Sequence, residues 1–180
     1  MSGEEDFINR LKSEKSKEPA FKELIGLYKE RLYWHIRKIV INHDDADDVL
    51  QNTFIKVYRN MEGFKGESKL YSWMYRIATN ESITFINNKA KMNSISNEEL
   101  KNKALDSLTS DVYFEGGEIQ LKLQQAIAKL PHKQQLVFNM KYFDDITYEE
   151  LSEILDTSVG ALKSSYHLAV KKITAYLTHN

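Results

Sequence analysis

Two short amphipathic helices that follow one another almost directly are predicted near the end of the chain, in the stretch ITYEELSEILDTSVGALKSSYHLAVKK, residues 146–172. Thr147 and Glu150 have the spacing of a capping box, so the first helix should begin at Tyr148. Asp156 and Thr157 break its apolar pattern, and Ser158 can cap a second helix. Helices joined this closely cannot be collinear. The pattern therefore predicts a helix-turn-helix.

The second of these helices is free of acidic residues. After Asp156 the chain contains no Asp or Glu, whereas Lys163, Lys171 and Lys172 supply positive charge. A surface of this kind tolerates phosphate and is typical of the helix that enters the DNA major groove. A helical hairpin in an ordinary bundle, with lysines that complement the helix dipole, is the alternative. The helix is predicted to bury an apolar stripe made of Val159, Leu162, Tyr166, Ala169, Val170 and Ile173.

The rest of the chain predicts an all-α protein of two small domains. Its 180 residues include only seven Gly and two Pro, and apolar residues recur at three- and four-residue steps in long segments. Residues 94–118 carry 2 Lys against 6 Asp/Glu, a net charge of −4, and include Gly116-Gly117. We therefore expect a helical domain over residues 1–93, a flexible acidic linker over 94–117 with one helical turn near Glu98–Leu105, and the helix-turn-helix domain over 118–180.

Composition excludes several kinds of function. The chain has no cysteine, which excludes a disulfide framework and a thiolate zinc site. Its apolar runs are too short to insert in a membrane, and its acidic beginning is unlike a signal peptide, so the cytoplasm is the expected compartment. His43 lies among four aspartates, but this segment has no turn-making glycine of the kind that a cation-binding loop needs, so a metal site is not expected there. No catalytic residues, metal, cofactor or small-molecule substrate are expected, and the protein should not be an enzyme.

Two blocks of sequence, in this order, resemble bacterial RNA polymerase sigma factors of the extracytoplasmic-function (ECF) group. Residues 45–83, DADDVLQNTFIKVYRNMEGFKGESKLYSWMYRIATNESI, look like region two of the family. Residues 130–173, which contain the helix-turn-helix, are similar to region four. The resemblance implies a promoter-specificity subunit that binds core RNA polymerase and promoter DNA and that opens the promoter. A stand-alone helix-turn-helix regulator and a helical adaptor without a DNA role are the alternatives.

The first block implies two sets of contact residues. The helix at Asp47–Tyr58 would dock on core polymerase through Asp47, Asp48, Gln51 and Asn52. The glycine-containing loop and the aromatic helix after it would bind the minus-ten element and capture a base turned out of the duplex. The residues expected there are Phe64, Lys65, Gly66, Ser68, Arg76 and Asn80. The Asn80 amide can read a base edge, since it offers a donor and an acceptor together. Trp73 is expected to serve packing rather than DNA.

The second block implies contacts with the minus-thirty-five element. The residues expected at this DNA are Lys141, Tyr148, Gly160, Lys163, Ser164, His167 and Lys171. The sequence departs from the common pattern of the family, because Ser165, Leu168 and Val170 stand where many relatives have arginine, and Asp156 replaces a turn glycine. Arginine gives bidentate contacts with guanine, so we expect weaker direct readout here. The resemblance also implies an anti-sigma factor as a probable partner.

Overall fold

The computed structural model describes residues 3–108 and 117–179, and within these ranges the regular secondary structure is entirely helical. A single turn of 3-10 helix, Met61–Gly63, lies between the third and fourth helices. The helices are α1 (Gly3–Lys12), α2 (Lys17–Val40), α3 (His43–Asn60), α4 (Leu70–Met92), α5 (Asn97–Asp106), α6 (Glu118–Ala128), α7 (His132–Tyr142), α8 (Tyr148–Leu155) and α9 (Val159–His179). None of the described helices is long and apolar enough for a membrane crossing.

Helices α2, α3 and α4 pack against one another and form the body of the N-terminal domain. The apolar periodicity of α2 places Leu24, Leu32 and Ile36 in the core of this domain. Asn42 caps α3, since its side-chain oxygen accepts a hydrogen bond from the Asp45 backbone N–H at 3.0 Å. Packing against α2 fixes the orientation of α3 and α4, so each keeps one side toward the core and one side exposed.

Helices α8 and α9 form the helix-turn-helix that the sequence predicts. The Thr147 side chain accepts from the Glu150 N–H, and the Glu150 carboxylate accepts from the Thr147 N–H at 3.1 Å, so the predicted capping box is present and α8 begins at Tyr148. Ser158 caps α9 through the N–H of Ala161 at 3.4 Å. Helices α6 and α7 support α9 from the other side.

Asp156 makes the turn between α8 and α9 with φ 49° and ψ 51°, a left-handed conformation. Glycine adopts this conformation without the Cβ clash that aspartate incurs, although it also has more conformational entropy to lose on folding. Asp156→Gly is therefore expected to raise the free energy of unfolding by about 0.5 kcal/mol. Urea denaturation followed by circular dichroism measures the change. Glu149→Gly within α8 is the matched control and should lower it by a similar amount; a loss of stability in Asp156→Gly contradicts the strain argument.

The structure corrects two expectations from the sequence. Residues 97–106 of the predicted linker form the ten-residue helix α5, not one turn, because Ser96 and Glu99 make a capping box and the helix packs on α4. The linker residues 109–116 lie outside the described ranges. Val170 is exposed, whereas the predicted stripe placed it inside, because Ala169 and Ile173 face the helices that support α9.

The two domains pack directly against each other. Helix α8 lies on α4, and α7 lies near α2. As a result, Met140, Ile146, Leu151 and Ile154 belong to the same buried cluster as the core of the N-terminal domain. A smaller second cluster, between α6, α7 and α9, stays within the helix-turn-helix domain.

Candidate nucleic-acid interface

Three of the residues predicted at the minus-thirty-five element lie together at the start of the helix-turn-helix. The ammonium groups of Lys141 and Lys163 lie 5.4 Å and 5.7 Å from the centre of the Tyr148 ring. These residues come from α7, α8 and α9, so the fold brings together groups that are distant in the sequence. Two ammonium groups beside one aromatic ring form a cationic surface suited to phosphate.

The other predicted residues of this set, Gly160, Ser164, His167 and Lys171, all lie on the exposed side of α9. The opposite side is fixed by packing, since Leu162, Ala169 and Ile173 are buried and Tyr166 stacks on Phe138 at 5.9 Å. Leu168 is 45% exposed, so α9 presents an apolar side chain next to its polar ones. Apolar side chains of this kind contact thymine methyl groups in DNA complexes.

The loop predicted to capture a base follows the 3-10 turn at Met61–Gly63. Its Phe64 ring is buried and packs on Trp73 at 5.0 Å, so in this arrangement it faces the core and the ring itself is not presented to solvent. Lys65 and Gly66 are exposed and Ser68 is half-buried. Gly66 has φ 74°, which only glycine adopts without strain and which turns the loop back toward α4.

Arg76 and Asn80 lie one turn apart on the exposed side of α4. The residue just before each of them faces inward: Tyr75 and Thr79 are buried, and the Thr79 hydroxyl donates to the Tyr75 carbonyl at 2.8 Å. Trp73 is half-buried against the core, as expected for a packing role.

Helix α1 holds both ends of the loop, which sequence reasoning missed. The Lys12 ammonium donates to the Phe64 carbonyl at 2.5 Å, and the Glu4 carboxylate accepts from the Leu70 N–H at 2.9 Å, at the start of α4. A carboxylate at a helix N-terminus is stabilised by the helix dipole. No local pattern indicates these partners, which are 52 and 66 residues away.

The residues expected at core polymerase form one exposed row on α3. Asp47, Asp48, Gln51 and Asn52 are all exposed, and the next turn adds Ile55, an isoleucine that is 44% exposed. Beside this row, Asp47, Gln51 and Ile55 line one wall of an apolar groove between α2 and α3. An exposed isoleucine at helical spacing from Gln51 is the sequence signal that could have extended the predicted surface.

Polar contacts join the start and the Arg76 side of α4 to α8 of the other domain. The Lys69 ammonium lies 2.8 Å from the Glu150 carboxylate, and the Arg76 guanidinium donates to the Glu153 carbonyl. Burial opposes ionisation of Glu150, yet hydrogen bonds from Lys69, Tyr71 and Thr147 lower its pKa to about 2. This carboxylate is thus held charged against the N-terminal domain.

A buried polar cluster lies further along the same interface. Asp144, from the turn before α8, accepts a hydrogen bond from the Lys38 ammonium at 2.5 Å and lies 3.4 Å from Nδ1 of His35. The His35 side chain is 1% exposed, and its Nε2 is 2.9 Å from the Thr79 hydroxyl. Burial lowers the pKa of His35 below its ordinary value, while contact with Asp144 opposes the shift. Among the described residues, no group of His, Asp and Glu side chains is arranged to hold a metal ion.

Comparison with known proteins agrees with this geometry. Residues 24–92 match the family model "Sigma-70 region 2", and residues 120–173 match "Sigma-70, region 4". The ECF RNA polymerase sigma factor SigW of Bacillus subtilis is 31% identical over 162 residues, which cover 85% of this chain and 86% of SigW.

Two solved structures share the fold. CnrH, in complex with the cytosolic domain of CnrY, aligns with a TM-score of 0.72 at 18% identity and covers 98% of both chains. The sigma factor RpoE of Bartonella quintana, in complex with the anti-sigma factor NepR, aligns with a TM-score of 0.68 at 18% identity and covers 88% of this chain and 96% of RpoE.

A helical chain with a region-two domain and a region-four helix-turn-helix is a sigma-70-type transcription initiation factor. More narrowly, the chain belongs to the ECF RNA polymerase sigma factors. The family resemblance noted in the sequence is confirmed, and so is the function that it implies, a promoter-specificity subunit of RNA polymerase.

Proposed function

We propose that this sigma factor acts through three surfaces of the described chain, of which one docks on core RNA polymerase and two bind promoter DNA. The exposed row of α3, from Asp47 to Asn52, docks on core RNA polymerase. The loop at residues 64–69, with Arg76 and Asn80 of α4, binds the minus-ten element as a single strand. The exposed side of α9, with Lys141 and Tyr148 beside it, binds the minus-thirty-five element. The domains at 1–93 and 118–180 would thus each hold one promoter element, joined through residues 94–117.

The cationic surface around the Tyr148 ring is the observation that carries this proposal. Lys141 and Lys163 converge there from different helices, at the start of a recognition helix that contains no acidic residue. Phosphate contacts at this point would fix the register of α9 in the major groove, so that Ser164 and His167 face base edges. Because no arginine is present on α9, base readout is expected to be weaker than bidentate arginine contacts provide.

Binding through two domains compensates for the low affinity of each domain for its promoter element. Once one domain is bound, the linker keeps the other near its element and raises its effective concentration. The minus-ten surface also needs energy to hold a flipped base, a cost of a few kcal/mol that polar edge contacts and stacking offset. The chain itself carries out no bond chemistry in this scheme, and it acts in the cytoplasm with the polymerase. Because both solved relatives above are complexes with protein partners, an anti-sigma factor is a proposed further partner.

Run-off transcription with core RNA polymerase and this protein, over a genomic fragment library, tests the proposal. Discrete start sites are expected, and Asn80→Ala and Lys163→Ala should each weaken initiation by about tenfold, because each removes one DNA contact. Asn102→Ala on α5 and Lys122→Ala on α6 remove the same side chains away from the proposed surfaces and should leave initiation unchanged. Unchanged initiation by Lys163→Ala at all promoters would contradict its placement. If the protein directs no initiation but shifts duplex DNA alone, a stand-alone regulator is the better assignment.

A further inference from the structure

The first residues of the described chain run alongside the loop at residues 64–69 in the opposite direction. Contacts join the two segments in reverse order along the chain: Lys17 with Glu62 at 3.3 Å just before the loop, Lys12 with the Phe64 carbonyl at its start, and Glu4 with the Leu70 N–H just after it. The last two of these contacts come from α1. One short helix therefore contacts both ends of the loop.

The start of α4 is capped from α1 and not by its own residues. Lys69, the residue that precedes the helix, makes no side-chain capping bond, and the first turn of α4 contains no acidic residue. The first N–H groups of a helix need acceptors from outside the helix. The Glu4 carboxylate supplies one, since it accepts from the Leu70 N–H at 2.9 Å, and its negative charge lies at the positive end of the helix dipole. The point at which the loop ends and α4 begins thus depends on Glu4.

The start of the loop is fixed by a charged donor. The Lys12 ammonium donates to the Phe64 carbonyl at 2.5 Å and lies 5.9 Å from the centre of the Phe64 ring, which is itself buried. A hydrogen bond from a charged donor is stronger than one between neutral groups. Between this anchor and Leu70, the side chains of Lys65, Gly66 and Glu67 are exposed. The loop is therefore a short exposed arch with two fixed ends.

Helix α1 is attached to the domain by contacts that do not involve Lys12 or Glu4. Leu11 is fully buried, and Phe7 and Ile8 pack partly against the same core. The Arg10 guanidinium also forms an ion pair of 2.6 Å with Glu23 of α2. Substitution of Lys12 or Glu4 should therefore release the loop without releasing α1.

We propose that α1 is a positioning element for the minus-ten loop, in which Lys12 and Glu4 hold the two ends of the loop in the conformation that binds the promoter strand. The inference rests on the proposed function, since it takes the minus-ten role of the loop as given. Both residues act through the loop backbone and are positioning residues. A loop that is ordered before the strand arrives loses less conformational freedom on binding, so more of the contact energy is available to hold the opened DNA.

Promoter opening by the full chain with core RNA polymerase tests this role, on a promoter mapped by the run-off experiment above. Lys12→Ala and Glu4→Ala should each lower the permanganate reactivity of thymines near the start site by about fivefold, because the loop ends are no longer held. Affinity for core enzyme and binding of the unopened duplex should not change, since α3 and α9 are untouched. Lys15→Ala and Glu14→Ala are the matched controls: they remove the same side chains from the exposed turn after α1 and should open the promoter normally.

Conservative variants separate positioning from a general loss of structure. Lys12→Arg keeps a charged donor and Glu4→Gln keeps an acceptor oxygen, so both should recover most of the opening that the alanine variants lose. Normal opening by Lys12→Ala and Glu4→Ala overturns the proposal, and so does a parallel loss of core binding, which would indicate that the whole domain is disturbed.

Asn80→Ala distinguishes failure of this inference from failure of the proposed function. If Asn80→Ala weakens opening and the two alanine variants of α1 do not, only the positioning role falls. If Asn80→Ala also leaves opening unchanged, the proposed minus-ten surface falls, and the role of α1 falls with it.

Discussion

Replacement of Leu151 by alanine is expected to lower the free energy of unfolding by about 2–5 kcal/mol. Leu151 is fully buried in α8, where it belongs to the cluster shared by both domains, so truncation leaves a cavity between rigid helices. Urea denaturation followed by circular dichroism measures the loss. Leu177→Ala near the end of α9 is the matched control, because that leucine is 39% exposed and should cost less than about 1 kcal/mol.

The same variant reports whether the two domains unfold together. Both tryptophans, Trp34 and Trp73, belong to the N-terminal domain. If the shared core couples the domains, Leu151→Ala shifts the tryptophan fluorescence transition together with the circular dichroism transition. A fluorescence transition that stays in place while the helix signal shifts would show that the N-terminal domain is stable without α8, and the shared cluster would then contribute little to it.

The second large effect concerns the exposed row of α3. Asp48→Lys is expected to weaken binding to core RNA polymerase on the order of 10- to 100-fold, because it reverses a charge in the middle of the proposed contact surface. Competition with a labelled sigma factor for core enzyme measures the change. Asp106→Lys at the end of α5 makes the same change of charge away from this surface and should bind normally. Equal affinity of the two variants would exclude Asp48 from the polymerase contact.

Local signals in the sequence predict much of this fold because they act within a few residues. The Thr147 and Glu150 capping box defines where α8 begins, and the spacing of Leu162, Ala169 and Ile173 defines the buried side of α9. The need for an unusual turn conformation at Asp156 also follows from the short distance between the two helices. The lysines of α9 predicted a cationic surface, and the fold places Lys141, which was also expected at this DNA, beside the same Tyr148 ring as Lys163.

What the sequence could not predict depends on groups far apart in the chain. Lys69 and Glu150 are 81 residues apart, and Lys38 and Asp144 are 106 apart. An ion pair of this kind has no periodic signature, since surface lysines and glutamates have many alternative partners. The burial of Phe64 was missed for a related reason: a phenylalanine in a glycine-containing loop is apolar whether it stacks on a base or on Trp73.

The contact between Arg76 and the Glu153 carbonyl has a consequence for genetics. Loss of the Arg76 side chain removes a proposed promoter contact, and it also removes a hydrogen bond between α4 and α8. A reporter assay responds to both changes at once, so the colony phenotype of an Arg76 substitution does not identify which of them caused it. Separate measurements of interdomain stability and of strand binding would distinguish the two.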